Sequence, residues 1–173
     1  CDVKISHNPA SNCYLGEGIA PIAEMLDHGL TVGLGTDGPA SNNNHDMIFI
    51  IKLTALLQKV KYLKPEAISA ETVLRLATIE GAKCVGLEKI IGSLEIGKKA
   101  DISIFDLSSL NTVTMHDPIK SIVYSSNQNN VSDVIINGKF ILKRREFLEQ
   151  NENDIIATAQ SLGEDLVKNL DVS

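Results

Sequence analysis

Paired cysteines, long apolar runs and an excess of positive charge are all missing from this sequence, and each absence removes a class of answers. Its three cysteines, Cys1, Cys13 and Cys84, form no C-x-x-C pair and no even disulfide set. A cytoplasmic protein with incidental thiols is the expectation. No apolar stretch approaches the roughly 18 residues that span a bilayer; the longest, Met47 to Leu57, is broken by Lys52 and Thr54. A net charge of −6 and a pI near 5.2 argue against nucleic acid or an acidic membrane as partner, because neither phosphate-rich surface would attract such a chain. There is no H-x-H, no H-E-x-x-H, no signal-peptide pattern and no internal repeat. What remains is ordinary globular composition: 173 residues, 43 % hydrophobic and 22 % charged.

The chain opens on Cys1-Asp2 and runs at once into Val3-Lys4-Ile5, as if cut just before a strand. It is expected to be the C-terminal part of something longer. Val3 to Ser6 reads as a strand ended by His7-Asn8-Pro9, with a loop to Gly18. Ile19, Ile22, Ala23, Leu26 and Leu30 then recur at helical spacing, with Pro21 near the first turn and Gly29 as the stop. Thr31 to Gly35 is a second strand, apolar on both sides, so strand, helix and strand form a βαβ unit with parallel strands.

A polar loop, Pro39 to Asp46, precedes a helix from about Met47 to Lys61, and Ser69 can cap another through Ala77. Beyond Gly92 the texture changes. Ile102 to Phe105 and Ser121 to Tyr124 alternate like strands, and Asp133 to Leu142 is a hairpin around Asn137-Gly138, the pair that type I′ turns favour. From Asn153 onward, Ile155, Ala159, Leu162, Leu166 and Leu170 share one face of an amphipathic helix that must dock on something. The expected division falls near residue 90: residues 1–90 parallel α/β, residues 91–173 a small antiparallel sheet with a last helix.

The stretch GLGTDGPASNNNHD, Gly33 to Asp46, carries the candidate chemistry. Its first six residues fit G-x-G-x-x-G. A dinucleotide loop, however, needs a helix to begin inside the motif and an acidic residue about 20 positions on. Pro39 and three asparagines follow instead, and Ala55 to Gln58 supplies no acid. The glycine match is coincidental. Asp37 is the alternative: it stands at the C-terminal end of a parallel strand, where α/β sheets and barrels gather their reactive groups. The preceding strand delivers His7 to the same edge. Two bland readings stand beside this. Thr-Asp-Gly after a strand also makes an Asx-type turn, and His7, His28, His45 and His116 all suit turn, cap or loop positions.

A zinc site needs three or four protein ligands, so any partners of Asp37 lie elsewhere. That deficit fits a resemblance. The run SHNPASNCYLGEGIAPIAEMLDHGLTVGLGTDGPASNNNHDM resembles the end of the barrel in the amidohydrolase superfamily, and within it the 5-methylthioadenosine/S-adenosylhomocysteine deaminases and 5′-deoxyadenosine deaminases. LRLATIEGAKCVGLEKIIGSLEIGKKADISIFDL looks like the exit from that barrel into a small β-domain, and DVIINGKFILK like its closing hairpin.

The resemblance implies an α/β fold class: the last strands and helices of a (β/α)₈ metal-dependent hydrolase barrel, then part of a small β-sandwich domain and a C-terminal helix. It implies one divalent metal, Zn²⁺, held by an H-x-H pair, a further histidine and the aspartate after the eighth strand. Asp37 would be that aspartate, acting as metal ligand and as general base for a metal-activated water attacking C6 of an adenine ring. His7, Asn12 and Ser41 would be substrate-binding, with Asn42 bracing the loop. The other ligands and the acid that protonates the ring would lie upstream of Cys1. The cysteine-ligated zinc deaminase plan is not implied, because its P-C-x-x-C motif is missing.

Expected partners are a small purine nucleoside and, because an isolated fragment would expose strand edges, further copies of the chain in a homo-oligomer. The fragment alone is expected to be inactive, since a barrel of this kind needs about 250 residues. Rival readings are a guanine or cytosine deaminase, a triazine hydrolase, or a non-catalytic α/β assembly domain in which Asp37 only closes a turn.

Overall fold

The computed structural model describes residues 3–168. Strands β1 (Lys4–His7) and β2 (Thr31–Leu34) pair in parallel, with Lys4 opposite Thr31 and His7 opposite Leu34. Their C-terminal ends therefore lie side by side. The connection holds two helices, not one. Residues expected as loop form α1 (Pro9–Tyr14), whose Pro9, Ala10 and Ser11 are buried. Pro9 at the first helical position loses only an N–H that would have had no partner. Six residues are too few to display a helical period, so burial of the first turn, not sequence pattern, makes this helix. The second, α2 (Ile22–Asp27), is shorter than the apolar spacing suggested. Pro21 takes its N-cap, and Gly29 stops it with φ +73°.

Val32 is fully buried, as a strand covered on both faces requires. The short helix α3 (Pro39–Asn42) interrupts the supposed polar loop, and α4 (Met47–Tyr62) follows. Asp46 caps α4, its Oδ1 accepting from Ile48 N at 2.8 Å and Phe49 N at 3.2 Å. Ser69 caps α5 (Ala70–Leu76) through Thr72 N at 3.0 Å. Helix α6 (Ile79–Cys84) then lies against β2. Ile22, Val32, Ile51, Ala55, Val73 and Leu76 meet in one core. Gln58, fully buried on α4, donates to Ala20 O at 3.0 Å and accepts from Ala23 N at 3.2 Å. It thereby satisfies a first-turn amide of α2 that the helix itself cannot.

Four strands form a separate antiparallel sheet in the order β3 (Ile102–Phe105), β4 (Val131–Ile136), β5 (Lys139–Lys143), β6 (Glu146–Phe147). Asn137 and Gly138 join β4 to β5 with φ of +50° and +80°, the two positive values of a type I′ turn.

Ser121 to Tyr124 is not a strand. Helix α7 (Pro118–Lys120), capped by Asp117 through Lys120 N at 3.1 Å, runs into a π turn over Ser121–Ser125. A four-residue alternation fits strand or helix equally well. The Asp-Pro start upstream and the complete burial of Val123 in the core beside α4 settle it. The last helix, α8 (Glu152–Lys168), is exposed along its whole length. The docking expected for Ile155, Ala159, Leu162 and Leu166 is not made among the described residues, and Leu170 lies outside them. No helix among the described residues is long and apolar enough to cross a membrane.

Candidate functional site

The parallel register of β1 and β2 carries the segments after both strands to one edge of the pair. Three residues beyond β2, Asp37 adopts φ +60°, a left-handed conformation that short polar side chains tolerate better than most. Gly38 N donates to its Oδ1 at 2.8 Å, a bond to the next residue and not an Asx turn, whose amide donor two residues on is lacking in Pro39. Pro39 then starts α3, whose single turn returns Ser41 to the carboxylate, its hydroxyl donating to Oδ2 at 2.7 Å. Ser11, in the first turn of α1, donates to the same oxygen at 2.7 Å.

Oδ2 thus receives two hydroxyls and Oδ1 one amide. The Ser11 hydroxyl, then that of Ser41 and the Gly38 amide, hold this exposed carboxyl below its ordinary value, against a small opposing effect of desolvation. Asp37 is an ionised, fixed acceptor at the mouth of a strand edge. Asn42 braces the loop, donating to Thr36 O at 2.7 Å and Asn44 O at 2.8 Å. Thr36 Oγ1 sits 3.1 Å from His45 Nδ1.

The glycines before Asp37 have packing roles. A Cβ on Gly33 would meet Gly81 Cα of α6 at 2.9 Å, and one on Gly35 would strike the Asn8 side chain. Contrary to the expectation from Pro39 and the asparagines, a helix does begin directly after Gly38. It is one turn long, however, and the Gly38 amide is already given to Asp37. No phosphate cradle is formed.

Of the residues expected to bind substrate, only Ser41 touches Asp37. Asn12 is half-buried, with its amide donating to Glu17 Oε2 at 3.2 Å. His7 is 4 % exposed, so its ring does not line an open mouth in this chain, and its Nε2 is buried without a hydrogen-bond partner. Burial lowers its pKa from 6.5 to about 4. The ring is therefore neutral at physiological pH.

The unfolded chain takes up this proton first. The stability associated with a neutral His7 is thus complete above about pH 6.5 and is lost as pH falls towards 4. The Cε1 proton resonance of His7 is expected to stay flat from neutrality down through the usual histidine range and to move only near pH 4. A midpoint near 6.5 would mean that the ring is solvated.

Sequence reading missed Ser11. Residues 8–18 read as loop, and nothing local indicates that a serine 26 positions before Asp37 reaches it. Among the described residues no three His, Cys, Asp or Glu side chains converge on one point. These residues cannot complete a metal site by themselves.

Comparison with known proteins gives the edge its context. The amidohydrolase family model matches residues 2–141. A 5′-deoxyadenosine deaminase of Methanobrevibacter smithii is 43 % identical over 166 residues, which is 95 % of this chain and 38 % of that enzyme. An S-triazine hydrolase of Gordonia rubripertincta is 44 % identical over 144 residues, 83 % of this chain and 30 % of that one. The crystal structure of an adenosine deaminase from Xanthomonas campestris with bound zinc superposes with a TM-score of 0.93 at 34 % identity, covering 97 % of this chain and 38 % of that one. The chain spans well under half the length of these relatives. Matched over most of its residues and alike in fold, this mixed α/β chain belongs to the amidohydrolase family.

Proposed function

We propose that the complete protein removes the 6-amino group of a 5′-substituted adenosine: S-adenosylhomocysteine, 5′-methylthioadenosine or 5′-deoxyadenosine. Water and the nucleoside become the inosine analogue and ammonia. The observation that carries this reading is Asp37, an ionised carboxylate held by three donors at the end of a parallel strand, in a chain 43 % identical to a 5′-deoxyadenosine deaminase.

In this reading β1 and β2 are the seventh and eighth strands of a (β/α)₈ barrel. Residues 1–90 close that barrel, and residues 91–173 contribute a small β-sandwich segment and the last helix. The donor set suits one divalent cation: Oδ1 has a single amide donor and keeps a lone pair, so Asp37 can serve as one ligand. The remaining ligands are histidines outside this chain. When bound, zinc supplies a Lewis acid that makes water nucleophilic near neutral pH. Asp37 accepts a proton from the attacking water on Oδ2, where the Ser41 hydroxyl frees a lone pair by turning to the substrate, as C6 becomes tetrahedral, and returns it towards the departing amine. Ser41, against the carboxylate, is the nearest substrate contact. Asn12 and His7 stand on the neighbouring segment of the same edge.

A second reading has its own observation, the 44 % identity to an S-triazine hydrolase. Ring choice then depends on loops beyond these residues. The test is ammonia release by the complete zinc-loaded protein offered the three adenosines, guanine and cytosine, with a chlorinated s-triazine followed by chloride release. Turnover on an adenosine, with the other rings slower by at least about 100-fold, is the expected result, a discrimination that polar contacts to a ring can supply. Chloride release alone would transfer the protein to the second reading.

A further inference from the structure

We propose that Ser11 is a positioning residue for Asp37, tying its carboxylate to the neighbouring strand–helix unit so that one oxygen stays open towards a metal ion. This rests on the reading of Asp37 as a metal ligand.

The two serines that hold Oδ2 are not equivalent. Ser41 lies four residues from Asp37 on the same loop and also donates to Gly38 O at 3.1 Å, so it moves with the carboxylate. Ser11 lies 26 residues away, 5 % exposed, in the buried first turn of α1. That turn follows β1, which is locked to β2 by the parallel ladder, while the Asn8 side chain fills the space left by Gly35. Ser11 therefore refers the Asp37 carboxylate to a rigid neighbour.

Asp37 itself sits in a left-handed backbone conformation on an exposed loop, where its own side-chain torsions would otherwise be little constrained. With two hydroxyls on Oδ2 and one amide on Oδ1, a single lone pair of Oδ1 is left unengaged by the protein. Removing Ser11 frees a site on Oδ2 and lets the carboxylate rotate. A ligand so loosened binds its metal less tightly. Partners that orient metal ligands in this way typically account for about 10–100-fold in metal affinity.

The experiment uses the complete protein with S11A, S11T and S11C. Zinc affinity is measured by chelator competition, the visible spectrum is recorded after cobalt(II) substitution, kcat and KM are separated, and thermal melts check folding. S11A is expected to fold, to bind zinc about 10–100-fold more weakly, to show a shifted cobalt spectrum, and to lower kcat while KM changes little. S11T keeps the hydroxyl and should restore zinc affinity. Where S11A does not fold, S11C, close in volume but with only a weak S–H donor, is read by the same criteria.

Wild-type zinc affinity and an unchanged cobalt spectrum in a folded S11A or S11C would overturn the proposal, even if activity fell. If the wild-type protein binds zinc, D37N loses it and S11A does not, only the role of Ser11 fails. If D37N binds zinc as tightly as the wild type, Asp37 is no ligand and both readings fail.

Discussion

Asp37→Asn in the complete protein is expected to reduce kcat by about 10³–10⁴-fold and to strip or greatly weaken bound zinc, while melting nearly as the zinc-free wild type does. In the proposed reading the loss comes from two roles on one group. A positioned base contributes on the order of 10²–10⁴ in rate, and a neutral amide both lacks that basicity and is a poorer ligand for a divalent cation. The fold survives for a local reason. Asn tolerates the φ of +60° that this position requires. Its amide oxygen can still accept from Gly38 N, and the Ser11 and Ser41 hydroxyls can turn to accept from its NH₂. Steady-state kinetics with zinc analysis on the same samples checks this. A variant retaining a tenth or more of wild-type turnover would make Asp37 a turn residue.

Gly33→Val should disrupt the α/β layer, lowering unfolding free energy by about 3 kcal/mol, at the upper end of what overpacking costs. The reason is backbone against backbone. A Cβ there comes 2.9 Å from Gly81 Cα and 3.1 Å from Cys84 Sγ, so no side-chain rotation relieves it, and α6 must lift from β2. The valine methyls extend the clash. Gly38→Ala is the matched control: nothing lies within 4 Å of the Cβ it would add, and its φ is −79°, so its stability should change little. Denaturant unfolding of the two variants beside wild type makes the comparison. Equal stability of Gly33→Val and wild type would mean that α6 does not pack on β2 as described.

These two substitutions mark what a linear reading could and could not reach. The parallel strand pair, the long helix over residues 47–62, the Ser69 cap and the Asn137-Gly138 turn were all legible, because each announces itself within a few consecutive residues. Asp37 was legible as a candidate because its place after a buried strand is a local fact. The glycine pattern ahead of it was set aside as a nucleotide loop, and its packing purpose stayed hidden. The partners of Gly33 are Gly81 and Cys84, about fifty residues along the chain, and only packing brings them into contact. Ser121 to Tyr124 went wrong because four alternating residues carry no decisive period, and the core claimed Val123 from a helix.

Local chemistry therefore determined where strands and turns form, which residue stands ready at the strand edge, and which family the chain resembles. These depend on propensities, caps and short motifs that act over a turn or a strand length. Tertiary structure decided the state of that residue. Ser11 reaches it from another helix, His7 is buried and kept neutral, and Asn12 turns to Glu17. Hydrogen bonds and burial are settled between groups distant in sequence, and no spacing along the chain encodes them.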